Sequence, residues 1–201
     1  FGPDGKEVPG QLAVGKNGAA KVLFLAKAPS VGFAVYDVQA AESPTSASTL
    51  KVTQASLENV RYRIRVDQNG DVAGIFDKTL NRALLSAPAR LALQYEKPAQ
   101  WPAWNMDWKD QQKPPRGYVQ GPAKVRITEN GPVRVALEVE RETEGSRFVQ
   151  EIRLAAGDAG NRVEFANVID WRIKETALKA TFPLTAANPE ATYNWDIGTI
   201  K

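Results

Sequence analysis

The chain has 201 residues, 43% of them hydrophobic and 24% charged, which fits one large globular domain or one domain with a small companion and includes no apolar run long enough to span a membrane. Its formal charge of +3 comes from 26 basic against 23 acidic residues interleaved along the chain; the best basic stripe, Arg61, Arg63 and Arg65, reads as the solvated face of one strand rather than a nucleic-acid surface. There is no Cys and no His, which excludes disulfides, thiolate chemistry, Ser–His and Cys–His pairs and imidazole metal ligands, and leaves the compartment open.

FGPDGKEVPG at the N-terminus has no basic region followed by an apolar run, so no signal peptide is visible. Val8–Val14, Lys21–Ala26 and Phe33–Val38 read as three short strands. They are too few for a robust core and are expected to be the end of a small β-domain over residues 1–40. Gln39–Thr49 is rich in Ala, Ser, Thr and Pro without an apolar period. A linker is expected over 41–55, a long loop inside one domain being the alternative.

A large antiparallel sandwich is expected over 56–201, truncated at its C-terminus. It opens on LENVRYRIRVDQNGDVAGIFDKTLNRALL, residues 57–85. Tyr62, Ile64 and Val66 alternate with Arg61, Arg63 and Arg65, the two-residue period of a half-buried strand. Asp67–Asp71 contains an Asn-Gly pair suited to a tight turn. Val72–Phe76 returns as a second strand, and Asp77–Arg82 turns again. Ala89–Tyr95 is a further strand.

Glu96–Gly117 then fits no regular element. It holds Trp101, Trp104 and Trp108, four Pro, and Asp107 and Asp110. The tryptophans have helix-like spacing, but Pro102 allows at most a short turn beginning there. Three Trp argue against disorder, so a long structured surface loop is expected.

From Gly121 onward the chain reads as β-structure. Strands are expected over Ala123–Glu129, Val133–Arg141, Arg147–Leu154, Arg162–Trp171, Ala177–Leu184 and Ala191–Ile200. Turns are expected at Asn130-Gly131-Pro132, Glu142–Ser146 and Ala155–Asn161. Evenly spaced strands without an amphipathic helix give an all-β antiparallel sandwich.

Several ordered segments resemble the C-terminal β-region of glycoside hydrolase family 38, the retaining α-mannosidases. They are the opening stretch at 57–85, WPAWNMD, GPVRVALEVERE, SRFVQEIRLAAG, RVEFANVIDWRIKETALKATFPL and ATYNWDIGTI. KVLFLAKAPSVGFAVYDV is similar to the small β-domain that precedes that sandwich. Two positions depart from the family's pattern in the tryptophan segment: Asn105 and Pro102 stand where it has Asp.

The resemblance implies a galactose mutarotase-like supersandwich, preceded by part of a small β-domain. It implies an accessory region of an enzyme that hydrolyses terminal α-mannosides. The nucleophile, the acid/base and a zinc ion bound by His and Asp would then sit on an N-terminal catalytic barrel of the same polypeptide. Retaining hydrolysis needs two carboxyl groups about 5 Å apart. With no His in the chain, that zinc site cannot lie among these residues, and the isolated chain is expected to be inactive. The expected partners are the barrel and an α-mannoside, with no nucleic acid and no membrane span.

The candidate substrate-proximal residues are Trp104, Asn105 and Asp107. An indole offers an apolar platform to the C–H face of a sugar, and amide and carboxylate groups bond hydroxyls. The alternative is that the three tryptophans anchor the loop or fill a domain interface. Asp107 with Asp110 reads as a solvated pair. Asp170-Trp171 and Tyr193–Asp196 read as inward aromatics beside outward acids. An independent carbohydrate-binding module and a purely structural interaction domain are the other functional readings.

Overall fold

The computed structural model describes residues 1–15, 18–40, 48–102, 104–188, 190–194 and 196–200. At the N-terminal end, β1 (Gly10–Val14) and β2 (Ala20–Phe24) form an antiparallel hairpin with Leu12 opposite Val22. The third strand expected there, Phe33–Val38, does not form. A strand needs a ladder, and this segment makes isolated contacts instead. Phe1 and Asp37 exchange two backbone bonds, of 2.7 and 3.0 Å. The Tyr36 hydroxyl accepts from the Lys27 N–H and donates to the Lys27 carbonyl.

The five-stranded sheet starts inside the segment expected as a linker, of which residues 41–47 lie outside the described residues. Leu50 is buried, and β3 (Lys51–Thr53) pairs with β4 (Ser56–Glu58). β5 (Tyr62–Val66), β6 (Val72–Asp77) and β7 (Arg82–Ala83) complete that sheet in sequential order. Burial along β5 alternates as its sequence requires, with Tyr62, Ile64 and Val66 inside and Arg63 and Arg65 outside.

After β8 (Arg90–Tyr95) come the tryptophan loop and β9 (Gly117–Tyr118). β10 (Lys124–Asn130), β11 (Arg134–Thr143), β12 (Ser146–Ala155) and β13 (Glu164–Asp170) form a four-stranded meander. β14 (Thr176–Thr181) then pairs with β8, which also pairs with β9. It stops short of the expected Leu184 because Pro183 has no N–H to extend the ladder.

The meander is one layer of the sandwich. The other two sheets share the opposite layer, stitched by single bridges between Val72 and Ala89 and between Leu85 and Leu184. The main core joins Leu57, Ile64 and Val72 to Leu137, Val139 and Ile152 across the layers. A second cluster joins Leu91, Leu93 and Val119 to Phe148, capped by Ile173. The fold is thus the expected all-β antiparallel sandwich.

The single strand expected over Ala191–Ile200 is instead a short hairpin of β15 (Tyr193–Asn194) and β16 (Thr199–Ile200). Asp196 and Gly198 take positive φ between them, which reverses the chain.

The β1–β2 hairpin is seated on the turn between β10 and β11. Gln11 Oε1 accepts from the N–H groups of Val133 (3.1 Å) and Arg134 (2.9 Å). The Gln11 side chain occupies the space a Cβ on Gly131 would need, so glycine at 131 is what admits it.

Candidate functional site

The loop between β8 and β9 is held from below by its own polar residues. Gln94, buried on β8, donates from Nε2 to the carbonyls of Asp110 (2.7 Å) and Lys113 (3.0 Å). Those carbonyls belong to the end of a four-residue helix, α1 (Trp108–Gln111), and the residues just after it. Asp107 precedes α1 with extended backbone angles, and its carbonyl accepts the Asp110 N–H at 2.9 Å.

Asp110 is buried under the loop. Its Oδ1 lies 2.8 Å from Lys113 Nζ, which also sits 4.9 Å from the Tyr95 ring centre. Its Oδ2 is buried without a hydrogen bond. The bond from Lys113 holds the Asp110 carboxyl below its ordinary range, and the same bond raises Lys113.

Above this base the loop presents aromatic surface. Trp101, at φ +55, accepts the N–H groups of Trp104 (2.8 Å) and Asn105 (2.9 Å) on its carbonyl, closing the short turn that Pro102 permits. Asn105 donates from Nδ2 to the Gln100 carbonyl at 3.2 Å. The flank is tied to β14 and the residue before it: Lys97 pairs with Glu175 at 2.9 Å, and Lys179 Nζ lies 3.5 Å from Met106 Sδ.

Trp101, Trp104 and Trp108 are 66%, 88% and 72% exposed. The indoles do not fill the sandwich interior; polar groups anchor the loop instead. Trp104, Asn105 and Asp107 come together on one short stretch of it. The Asp107 carboxylate is 3.7 Å from Lys109 Nζ and about a quarter exposed. Asp107 and Asp110 therefore occupy different environments, one partly solvated and one buried.

Elsewhere, Trp171 packs edge-on against Phe148 with ring centres 6.1 Å apart, while Asp170 pairs outward with Arg172 at 2.9 Å. Tyr193 is exposed, not inward, because its two-residue strand has only β16 as a partner. Trp195 lies outside the described residues.

Sequence reasoning missed the polar residues that assemble the scaffold. Asn59 is buried with four bonds. Its Nδ2 donates to the carbonyls of Ala155 (3.0 Å) and Gly160 (2.9 Å), and its Oδ1 accepts from the N–H groups of Arg61 (2.9 Å) and Tyr62 (2.6 Å). Asp77 Oδ1 accepts from the Thr79 and Leu80 N–H groups, and Lys78 reaches back to Glu58 and to the Asn59 carbonyl.

Where the three sheets meet, Asp71 is buried between Arg141 (2.7 Å) and Arg90 (3.0 Å). Arg90 stacks 3.7 Å from the Tyr118 ring centre. Gly70, at φ +77, lets the Asn-Gly turn pass beneath Val139 and Ala123, where any side chain would collide. The one available signal was an acid directly before an apolar strand. It reads equally well as a solvated turn residue.

Among the described residues no three His, Cys, Asp or Glu side chains form a group that could hold a metal ion. No helix among the described residues is long and apolar enough to cross a membrane.

These features describe an all-β unit: a two-layer sandwich entered through a locked hairpin and carrying an exposed aromatic loop. The chain belongs to the glycosyl hydrolases family 38, C-terminal domain, whose model matches residues 57–201, beginning at the Leu57 of the opening stretch. It is also similar to alpha-mannosidase 2C1 of Mus musculus, with 27% identity over 205 residues. That match covers 94% of this chain but only 19% of the relative.

Proposed function

We propose that the chain is the C-terminal accessory β-region of a retaining α-mannosidase acting on terminal α-mannosides. A catalytic barrel of the same polypeptide carries the two carboxyl groups and the zinc. Residues 1–40 end a small β-domain, the following segment leads into the sandwich, and the residues from Leu50 onward form it. The sandwich supports the barrel and helps shape the mouth of the active site, with Trp104, Asn105 and Asp107 beside the substrate.

One observation carries the assignment of the mouth: an exposed indole on a loop fixed from beneath by Gln94 and Asp110. A loop held at its base has less backbone freedom to lose when a sugar stacks on its indole. Asn105 has its Nδ2 engaged, leaving Oδ1 to accept from a hydroxyl. Asp107 supplies two further acceptor oxygens.

The donors for zinc are not here. The chain has neither His nor Cys, so its residues do not fit the ion, and the barrel would have to hold it.

Turnover of an aryl α-mannoside tests this reading. The 201-residue chain is expected to show none, and the natural longer polypeptide is expected to be active. Trp104→Ala in the longer polypeptide is expected to raise KM about tenfold, close to 1.4 kcal/mol, with kcat little changed. Turnover by the 201-residue chain alone would overturn the assignment.

The exposure of Trp104 also favours a second reading, an independent carbohydrate-binding module. Titration with mannose, followed by tryptophan fluorescence, separates the two. No change at millimolar mannose removes the module.

A further inference from the structure

Asn-Gly pairs occur three times in the chain, at Asn17-Gly18, Asn69-Gly70 and Asn130-Gly131. Such a pair carries a reaction of its own. The backbone nitrogen of the glycine gives up its proton to a base and attacks the asparagine Cγ. The Cγ–Nδ2 bond breaks, ammonia leaves, and a five-membered succinimide closes. Water then opens the ring at either carbonyl, leaving aspartate or isoaspartate. Glycine favours the attack because it has no Cβ to obstruct the approach. The backbone must also be free to bring nitrogen and Cγ together. Asn17 lies outside the described residues, and the other two pairs differ sharply in that freedom.

Asn69 and Asn130 are both exposed, so access to water does not separate them. Asn69-Gly70 is locked. The Asn69 N–H donates to Asp67 Oδ1 at 2.9 Å, and its carbonyl accepts from the buried Arg141 at 3.1 Å. The nucleophile itself is engaged, because the Gly70 N–H donates to the Asp67 carbonyl at 3.0 Å. Gly70 is also wedged beneath Val139 and Ala123. Turning its nitrogen toward the Asn69 side chain would break these bonds and leave Arg141 with an unmet donor.

Asn130-Gly131 has little of this. Asn130 ends β10, just past a break in the β10–β11 register between Ile127 and Glu129. Among the described residues its side chain has no hydrogen-bond partner. The Gly131 N–H reaches the Arg134 carbonyl only at 3.4 Å, beyond the usual range of such a bond. The turn is closed from outside instead. Gln11 Oε1, rather than a carbonyl of the turn, takes the N–H groups of Val133 and Arg134.

We propose that Asn130 is a self-modification site, converting through the succinimide to isoaspartate, and that this conversion unseats the N-terminal hairpin. Isoaspartate carries the main chain through its Cβ, which lengthens the backbone before Gly131 by about 1.5 Å, one carbon–carbon bond. Gln11 packs against Gly131 so closely that not even a Cβ fits there. A displaced Gly131 therefore destroys the seat in which Gln11 reaches Val133 and Arg134. Asn69 stays an amide for as long as the sandwich is folded.

The purified protein is aged at mildly alkaline pH and then digested with trypsin. Cleavage after Arg126 and Arg134 isolates the Asn130 pair, and cleavage after Arg65 and Lys78 isolates the Asn69 pair. Isoaspartate on each peptide is read by mass spectrometry and by methyl transfer from S-adenosylmethionine with an isoaspartyl methyltransferase. The expected result is conversion at residue 130 at least tenfold faster than at residue 69 in the native protein, and similar rates at both in urea. Equal conversion of the two in the native protein overturns the assignment, and so does an unconverted residue 130.

The consequence is read by hydrogen exchange. Converted protein is expected to exchange the Val133 and Arg134 amides at least tenfold faster than fresh protein. Asn130→Gln, whose longer side chain closes the ring far more slowly, is expected to keep the native rate when aged alike. Converted protein that exchanges these amides at the native rate overturns the link to the hairpin.

Discussion

At the scale of single residues, the opening stretch is a set of polar clamps. Asn59 uses both donors and two acceptor positions inside the protein. Asn59→Ala would strand two carbonyls and two N–H groups, and a buried unsatisfied group costs about 1–3 kcal/mol. A loss of roughly 3 kcal/mol in urea unfolding is the expected outcome. Arg141→Met would leave Asp71 buried with Arg90 as its remaining cation. A loss of about 3 kcal/mol is expected there too, with part of it recovered in the Asp71→Asn/Arg141→Met double variant. Glu58 gives a pH dependence. Hydrogen bonds from Arg63 and then Lys78 hold its carboxyl down from the ordinary 4.5 to about 2. A depressed folded pKa means that the native state binds fewer protons than the unfolded chain between these values. The stabilisation is fully present above pH 4.5 and is lost as pH falls toward 2. Glu58→Gln should flatten the decline of the urea midpoint over that interval; an unchanged slope would show that the clamp contributes nothing.

At the scale of elements, alternation in sequence located β5 and β10–β12 because a half-buried strand writes its two faces into alternate residues. The apolar run Phe33–Val38 produced no strand, since pattern does not supply a pairing partner. The tryptophan loop was recognised as structured, and Pro102 as the start of a short turn. How the loop is held was not legible. Gln94 sits on an apolar strand where a polar residue reads as an exception, and Asp110 looks like any loop acid. Gln94→Ala is expected to release the carbonyls of Asp110 and Lys113 and to loosen α1. Tryptic cleavage after Lys109 should then quicken about tenfold while the melting of the sandwich changes little. Cleavage at the native rate would show that the loop is pinned elsewhere.

At the scale of the whole molecule, two layers meet through a mixed interior, apolar across β4–β6 and β11–β12 but ionic where Asp71, Arg90 and Arg141 converge. The N-terminal hairpin attaches through a small seat on the β10–β11 turn. Gly131→Val would expel Gln11 from that seat. Faster hydrogen exchange at the Val133 and Arg134 amides is expected, with little change in the unfolding of the sandwich, because the seat lies outside both core clusters.

The sequence by itself determined the all-β class, the order of most strands, the family, and the exclusion of imidazole and thiol chemistry. Each of these follows from residue type and local period, which the chain carries wherever it folds. Only the tertiary structure decided that Leu50–Thr53 belongs to the sandwich, that 191–200 turns back on itself, that Asn59 and Asp71 are buried, and that the three indoles face outward. Those outcomes depend on residues far apart in the chain arriving at one place: Asn59 against Ala155 and Gly160, Asp71 against Arg141, Gln11 against Val133. No local pattern announces such a meeting, because a polar side chain reads the same in sequence whether water or a distant backbone group satisfies it.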